Sequence, residues 1–184
     1  MDGQDGAKYK SFETKEEATK AFEKGYEHYL KTVSSSKAAA GLAPKAPVGK
    51  PIWESLCVDA ACSGNPGDME NRGVYPPTMQ EIFRIGPLKK GTNNIGEFLA
   101  LVHGLALLKQ KGSSLPIYSD SRNAIGWVKK KKCKTLLERV PENEPIFDMI
   151  ERAEKWLKTN TYTTPILKWE TSEWGEIPAD FGRK

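Results

Sequence analysis

The sequence predicts an α/β domain, a mixed β-sheet with α-helices packed on it, and three observations lead there. Short runs with strand character come early and close together, at Trp53 to Cys62, Gly73 to Tyr75 and Gln80 to Pro87. From Glu97 onward, stretches with helical periodicity alternate with short apolar runs. Early neighbouring strands followed by helix–strand alternation describe a sheet that begins antiparallel and continues through crossovers.

Each element has a local reason. In the first strand Leu56, Val58 and Ala60 share one face, and Gly64-Asn65-Pro66-Gly67 is a strong turn. Ile82 and Ile85 mark the third strand. Phe98, Leu101, Val102, Leu105 and Leu108 form the apolar stripe of a helix from Glu97 to Gln110, with Asn93 or Asn94 as its cap. Leu115 to Ser119 is a short buried strand, followed by a helix from Ser121 to about Lys131. Ile146, Met149, Ile150, Ala153 and Leu157 face inward from a helix over Glu144 to Lys158, and Thr163 to Trp169 is the last strand.

Ahead of this domain, placed at residues 53–184, two segments have a different texture. The pattern in residues 1–32 predicts a short strand at Tyr9 and Phe12 and a helix opened by a Thr14–Glu17 capping box. Residues 33–52 contain little that is large and apolar, which predicts a flexible linker. Net charge is +4 with 28% charged residues, which permits nucleic acid as a partner without requiring it. Three cysteines without paired spacing argue against a disulfide framework or a zinc knuckle, and Cys57 and Cys62 read as core residues. No apolar stretch approaches the ~20 residues of a membrane span, and no signal segment is present. A cytoplasmic monomer with no membrane partner is expected.

Four acidic residues carry the chemical argument. Asp59 lies inside an apolar strand, Glu97 opens a helix, Asp120 ends a strand, and Asp180 follows the last strand. Each has an ordinary explanation: a satisfied sheet carboxylate, a first-turn residue favoured by the helix dipole, and an N-cap for the first three. Together they sit where an open α/β sheet gathers its site. Clustered carboxylates repel, and a divalent cation relieves that; an all-oxygen set favours Mg²⁺, with Mn²⁺ as substitute.

Four local sequences then become specific in combination: Val58-Asp59-Ala60-Ala61-Cys62-Ser63-Gly64-Asn65-Pro66-Gly67, Gly91-Thr92-Asn93-Asn94-Ile95-Gly96-Glu97-Phe98-Leu99-Ala100, Tyr118-Ser119-Asp120-Ser121 and Ile177-Pro178-Ala179-Asp180. In this order they resemble the motifs of type 1 ribonucleases H, in their bacterial form, over Trp53 to Lys184. The resemblance implies a ribonuclease H-like fold, with a five-stranded mixed sheet flanked by helices. It implies that Asp59, Glu97, Asp120 and Asp180 hold two metal ions and hydrolyse the RNA strand of an RNA/DNA hybrid, leaving 5′-phosphate and 3′-hydroxyl ends. It further implies that Asn65, Asn94 and Ser121 contact the hybrid. Lys129, Lys130, Lys131 and Lys132 resemble the start of a basic protrusion that grips the DNA strand. On its own, such a lysine run is a solvated face. Ala7 to Ala18 resembles the closing half of a hybrid-binding domain whose opening strands are absent.

One feature departs from the family. Many bacterial members carry a histidine between the last strand and the fourth acid, whereas this chain has only His28 and His103. Glu176, in the corresponding loop, is the candidate for its proton handling, ahead of Glu173. Only four residues follow Asp180, so little is expected to hold it. A nuclease acting on DNA on the same fold, and a hybrid-binding protein without activity, are the competing readings.

Overall fold

The structure is a computed structural model that describes residues 49–182. The expected strand–helix at 1–32 and most of the expected linker at 33–52 lie outside the described residues. The chain divides after Ile52 into two units, and the second, Trp53–Lys184, holds every element that follows.

Strands β1 (Leu56–Gly64), β2 (Gly67–Tyr75) and β3 (Gln80–Gly91) come first. Helix α1 (Asn93–Gln110), strand β4 (Ile117–Ser119) and helix α2 (Arg122–Lys129) follow. A 3-10 turn at Pro141–Asn143 leads into α3 (Glu144–Thr159), then β5 (Ile166–Lys168) and the single turn α4 (Thr171–Trp174). The sheet has five strands in the order β3-β2-β1-β4-β5. β1, β2 and β3 pair antiparallel, whereas β1–β4 and β4–β5 are parallel. The expected five-stranded mixed sheet is therefore present.

Alternation along β1 divides the interior. Leu56 and Val58 join the large core with α1, α2 and α3. Cys57, one residue out of phase, joins Val74, Tyr118, Trp169, Ile177 and Ala179 on the other face. The stripe read in α1 is buried throughout, and in α3 Ile146, Ile150, Ala153 and Leu157 are buried while Met149 is half-buried. All three cysteines are free, with Cys57 and Cys133 buried and Cys62 half-buried. Among the described residues, no helix is long and apolar enough to cross a membrane.

Two caps differ from expectation. Thr92, not Asn93 or Asn94, caps α1, its hydroxyl accepting from the Ile95 amide at 3.4 Å. The helix starts a turn earlier than its apolar stripe because the polar Asn93-Asn94 pair already has helical backbone. Ser121, not Asp120, caps α2, accepting from the Ala124 amide at 3.1 Å. Strand β5 is also shorter than Thr163 to Trp169, and β2 begins at Gly67, straight out of the turn.

Helix α1 lies close on the sheet because it presents glycine at the contact. A Cβ on Gly96 would fall 2.7 Å from the Ala60 methyl, and one on Gly104 would fall 2.5 Å from Ile117 Cδ1. Replacing Gly96 with Ala gains about 1 kcal/mol of helix propensity, but overpacking a rigid contact costs roughly 1–3 kcal/mol. Gly96→Ala should therefore lower the urea midpoint, and an unchanged or raised midpoint would show that α1 can lift from the sheet.

Candidate active site

Strand register brings Asp59 and Asp120 together. β1 and β4 run parallel with Cys57 beside Tyr118, so two residues further on Asp59 and Asp120 lie level on the same face. Glu97 sits in the second turn of α1, and the first turn carries no acid. The helix-dipole explanation for Glu97 therefore fails, as does the N-cap explanation for Asp120. One carboxylate oxygen from each of Asp59, Glu97 and Asp120 lies within 4.8 Å of the others.

Two of the three are buried, Glu97 only 3% and Asp59 only 5% exposed, and Asp120 is half-buried. Burial pushes the Asp59 carboxyl up from 3.8 to about 6, opposed by a hydrogen bond with Glu97 and reinforced by the charges of Asp120 and Asp180. Glu97 is held well above its ordinary range, first by burial and then by Asp59 and Asp120. Burial also raises Asp120, partly offset by Lys168 and reinforced by Glu176 and Asp180. Glu97 Oε1 has a long contact from Asn93 Nδ2 at 3.5 Å, and Oε2 is buried with no hydrogen-bond partner. A donorless buried oxygen among mutually repelling carboxylates fits a hard divalent cation, which needs oxygen ligands and supplies positive charge.

The remaining sequence-derived residues fall into distinct places. Asp180 is outside the close triad but near enough to act on Asp59 and Asp120. Its carboxylate accepts from the Gly182 amide at 2.9 Å. Glu176 is exposed and acts on Asp120, whereas Glu173 lies in the α4 turn. That turn is fastened: Trp169 Nε1 donates to the Gly175 carbonyl at 2.8 Å, and Trp174 packs edge-on to Trp169 and Tyr118. Asn65 is exposed in the β1–β2 turn, and Asn94 is exposed on the first turn of α1. Ser121 adjoins Asp120 and uses its oxygen as the α2 cap, keeping its hydroxyl proton free to donate.

The four lysines of the run stand in two different environments. Lys129, Lys130 and Lys131 are exposed around the end of α2. Lys132 instead lies 2.9 Å from Glu154, a buried carboxylate of α3, so its charge is already engaged. Trp127 packs against Phe98 as a core anchor. His103 packs edge-on against Phe83 at 4.5 Å, away from the loop in question. His28 lies outside the described residues.

Sequence reasoning missed three contributors. Lys168 pairs with Ser119 in the β4–β5 ladder, one residue from Asp120. Asn93 touches Glu97 from one turn earlier. Arg72 stands opposite Asp59 on β2. Arg72 was within reach of the sequence, because counting outward from the Gly64–Gly67 turn leads to the Asp59–Arg72 pair.

These upward shifts have a measurable consequence. A carboxyl raised in the folded state binds its proton more tightly there, so stability falls as pH rises from the ordinary carboxylate range through about 6. In the absence of divalent ions, Asp59→Asn should stabilise the protein at pH 7.5 by about 1–3 kcal/mol, with little change at pH 4. Thermal melts in chelator at the two pH values test this; equal effects at both would mean that no strain is stored at Asp59.

Comparison with known proteins gives the lineage. The RNase H family model matches residues 54–168. A ribonuclease H of Rhodopirellula baltica is 41% identical over 75 residues, a match covering 40% of this chain and 46% of that protein. Among solved structures, RNase H1 of the archaeon Halobacterium salinarum has a TM-score of 0.42 at 19% identity, covering 65% of this chain and 86% of that one. LC11-RNase H1, isolated from compost, has a TM-score of 0.40 at 16% identity, with 65% and 87% covered. The family match extends over most of the chain and spans Asp59, Glu97 and Asp120, and on that ground the chain belongs to the RNase H family.

Proposed function

We propose that the domain at residues 53–184 hydrolyses the RNA strand of RNA/DNA hybrids endonucleolytically, using two divalent ions and leaving 5′-phosphate and 3′-hydroxyl ends. The observation that carries this reading is the Asp59–Glu97–Asp120 triad, two of its carboxylates buried and its ligand atoms within 4.8 Å, inside a sequence matched by the RNase H family. A structural role for three clustered, mutually repelling carboxylates is hard to supply, because each resists ionisation at its place.

Asp59, Glu97, Asp120 and Asp180 hold the ions, with Mg²⁺ the expected metal and Mn²⁺ its substitute. When bound, a divalent ion supplies charge that acidifies water and stabilises the leaving oxygen of a phosphodiester. Lys168 tempers the negative charge at Asp120, which keeps that carboxylate available as a ligand. Glu176, exposed and close enough to act on Asp120, handles protons at the mouth of the site.

Substrate recognition is assigned to the short polar side chains and the lysines. Asn65, Asn94 and Ser121 can reach a minor groove, where 2′-hydroxyls distinguish the RNA strand from DNA. Lys129, Lys130 and Lys131 hold phosphates of the DNA strand without reading sequence. Lys132 serves this role least, since Glu154 holds it.

The test is cleavage of labelled RNA/DNA, RNA/RNA and DNA/DNA duplexes with Mg²⁺ or Mn²⁺. Cutting of the hybrid alone is expected, with Asp120→Asn slower by roughly a thousandfold. Cutting of DNA/DNA would favour a DNA nuclease, and binding without cutting would leave a hybrid-binding protein. Glu176→Gln should lower turnover and alter its pH profile; unchanged rates across pH would remove Glu176 from the mechanism. Replacing Lys129, Lys130 and Lys131 with Ala should raise KM and make the log–log salt dependence shallower by about one unit per lost phosphate contact. An unaltered salt slope would place the DNA strand elsewhere.

A further inference from the structure

The segment carrying Asp180 is held in a way that neither the motifs nor the catalytic reading accounts for. It lies across the face of the sheet that bears Asp59. Ile177 and Ala179 are fully enclosed in the second apolar cluster. The Asp180 amide donates to the Ile177 carbonyl at 2.8 Å, closing a turn. Arg72 then grips the turn from β2: its Nε donates to the Ala179 carbonyl at 2.7 Å and its Nη2 to the Asp180 carbonyl at 2.5 Å.

The same guanidinium is itself held in place. Its Nη1 donates to Glu81 at 3.2 Å. Its Cζ lies 4.8 Å from the centre of the Phe181 ring, which the Cζ of Arg84, its cross-strand neighbour, approaches at 5.1 Å. Arg84 is paired with Glu81 and Glu70. Three of the five N–H donors of Arg72 are therefore committed, two of them to consecutive carbonyls around the Asp180 residue. A guanidinium suits this task because its rigid fork makes divergent bonds that a lysine ammonium cannot reproduce with one orientation.

We propose that Arg72 is the positioning residue for Asp180: it fixes the backbone on which that carboxylate is presented to the Asp59–Glu97–Asp120 triad. Because Arg72 is the cross-strand partner of Asp59, a single antiparallel register sets one carboxylate directly and the other through the guanidinium. The inference rests on the reading of Asp180 as a metal-holding group.

The experiment is a double-mutant cycle on the full chain with Arg72→Met, Asp180→Asn and the pair. Two readouts are used: Mn²⁺ affinity by calorimetry without substrate, and kcat and KM on an RNA/DNA hybrid. Arg72→Met should weaken Mn²⁺ binding and lower kcat by about 10–100-fold, with KM for the hybrid little changed. The double variant should be no worse than Asp180→Asn alone, because both act through the same carboxylate. Wild-type Mn²⁺ affinity and kcat in Arg72→Met, or losses that add to those of Asp180→Asn, would overturn the proposal. Arg72→Lys serves if Arg72→Met does not fold: it should lose the same metal affinity while its circular dichroism stays native, and full retention of affinity would count against the proposal. If Asp180→Asn alone changes neither readout, the assignment of Asp180 to the site fails and takes this inference with it. If Asp180→Asn is impaired and Arg72→Met is not, only the role of Arg72 fails.

Discussion

Three carboxylates brought together, two of them buried and the third half-buried, are the constraint around which the rest of the structure is arranged. Asp59, Glu97 and Asp120 come from three separate elements, and each would ionise more easily in water. The shift at Asp59 alone, from 3.8 to about 6, corresponds to roughly 3 kcal/mol between its protonation states. Net stabilities of domains are only about 5–15 kcal/mol, so the surrounding core has to be firm. The close seating of α1, permitted by Gly96 and Gly104, supplies that firmness and delivers Glu97 to the sheet.

The two faces of the sheet divide the work. One face carries the large core under α1, α2 and α3, which locks β1, the strand that bears Asp59, and β4, the strand that leads into Asp120. The other carries a smaller aromatic cluster of Tyr118, Trp169 and Trp174, backed by Ile177 and Ala179. That cluster anchors the stretch from Glu173 to Asp180 next to the acids. Apolar enclosure sets how deep the stretch lies, while the directional bonds of Arg72 set its orientation.

The basic region is organised differently, by charge and loop hydrogen bonds at the surface. Arg139 pairs with Glu144 and Glu151 of α3 and stacks over Phe147. Asn143, buried, donates to the carbonyls of Lys90 and Glu138 and accepts from the Val140 amide. Exposed ion pairs of this kind add little stability, but together with Asn143 they define where residues 130–140 run. Lys129, Lys130 and Lys131 are left to solvent, available for phosphate, while Lys132 is drawn to Glu154.

Local sequence was enough for the mixed sheet, the apolar faces of α1 and α3, and the element that carries Asp59, carries Glu97 or leads into Asp120. Those are local properties, written in periodicity, turn residues and short motifs within a few positions of one another. It did not determine which side chain capped α1, because Thr92, Asn93 and Asn94 are all good capping residues and only backbone geometry separates them. It did not show that Lys132 was engaged, since Glu154 lies on another helix. Nor did it show how Asp180 is held: Arg72 and Asp180 are 108 positions apart, and their contact exists only once β2 has paired and the tail has packed on the sheet. Short-range pattern names the elements, whereas the meeting of side chains from distant elements is decided by packing, which no window of sequence contains.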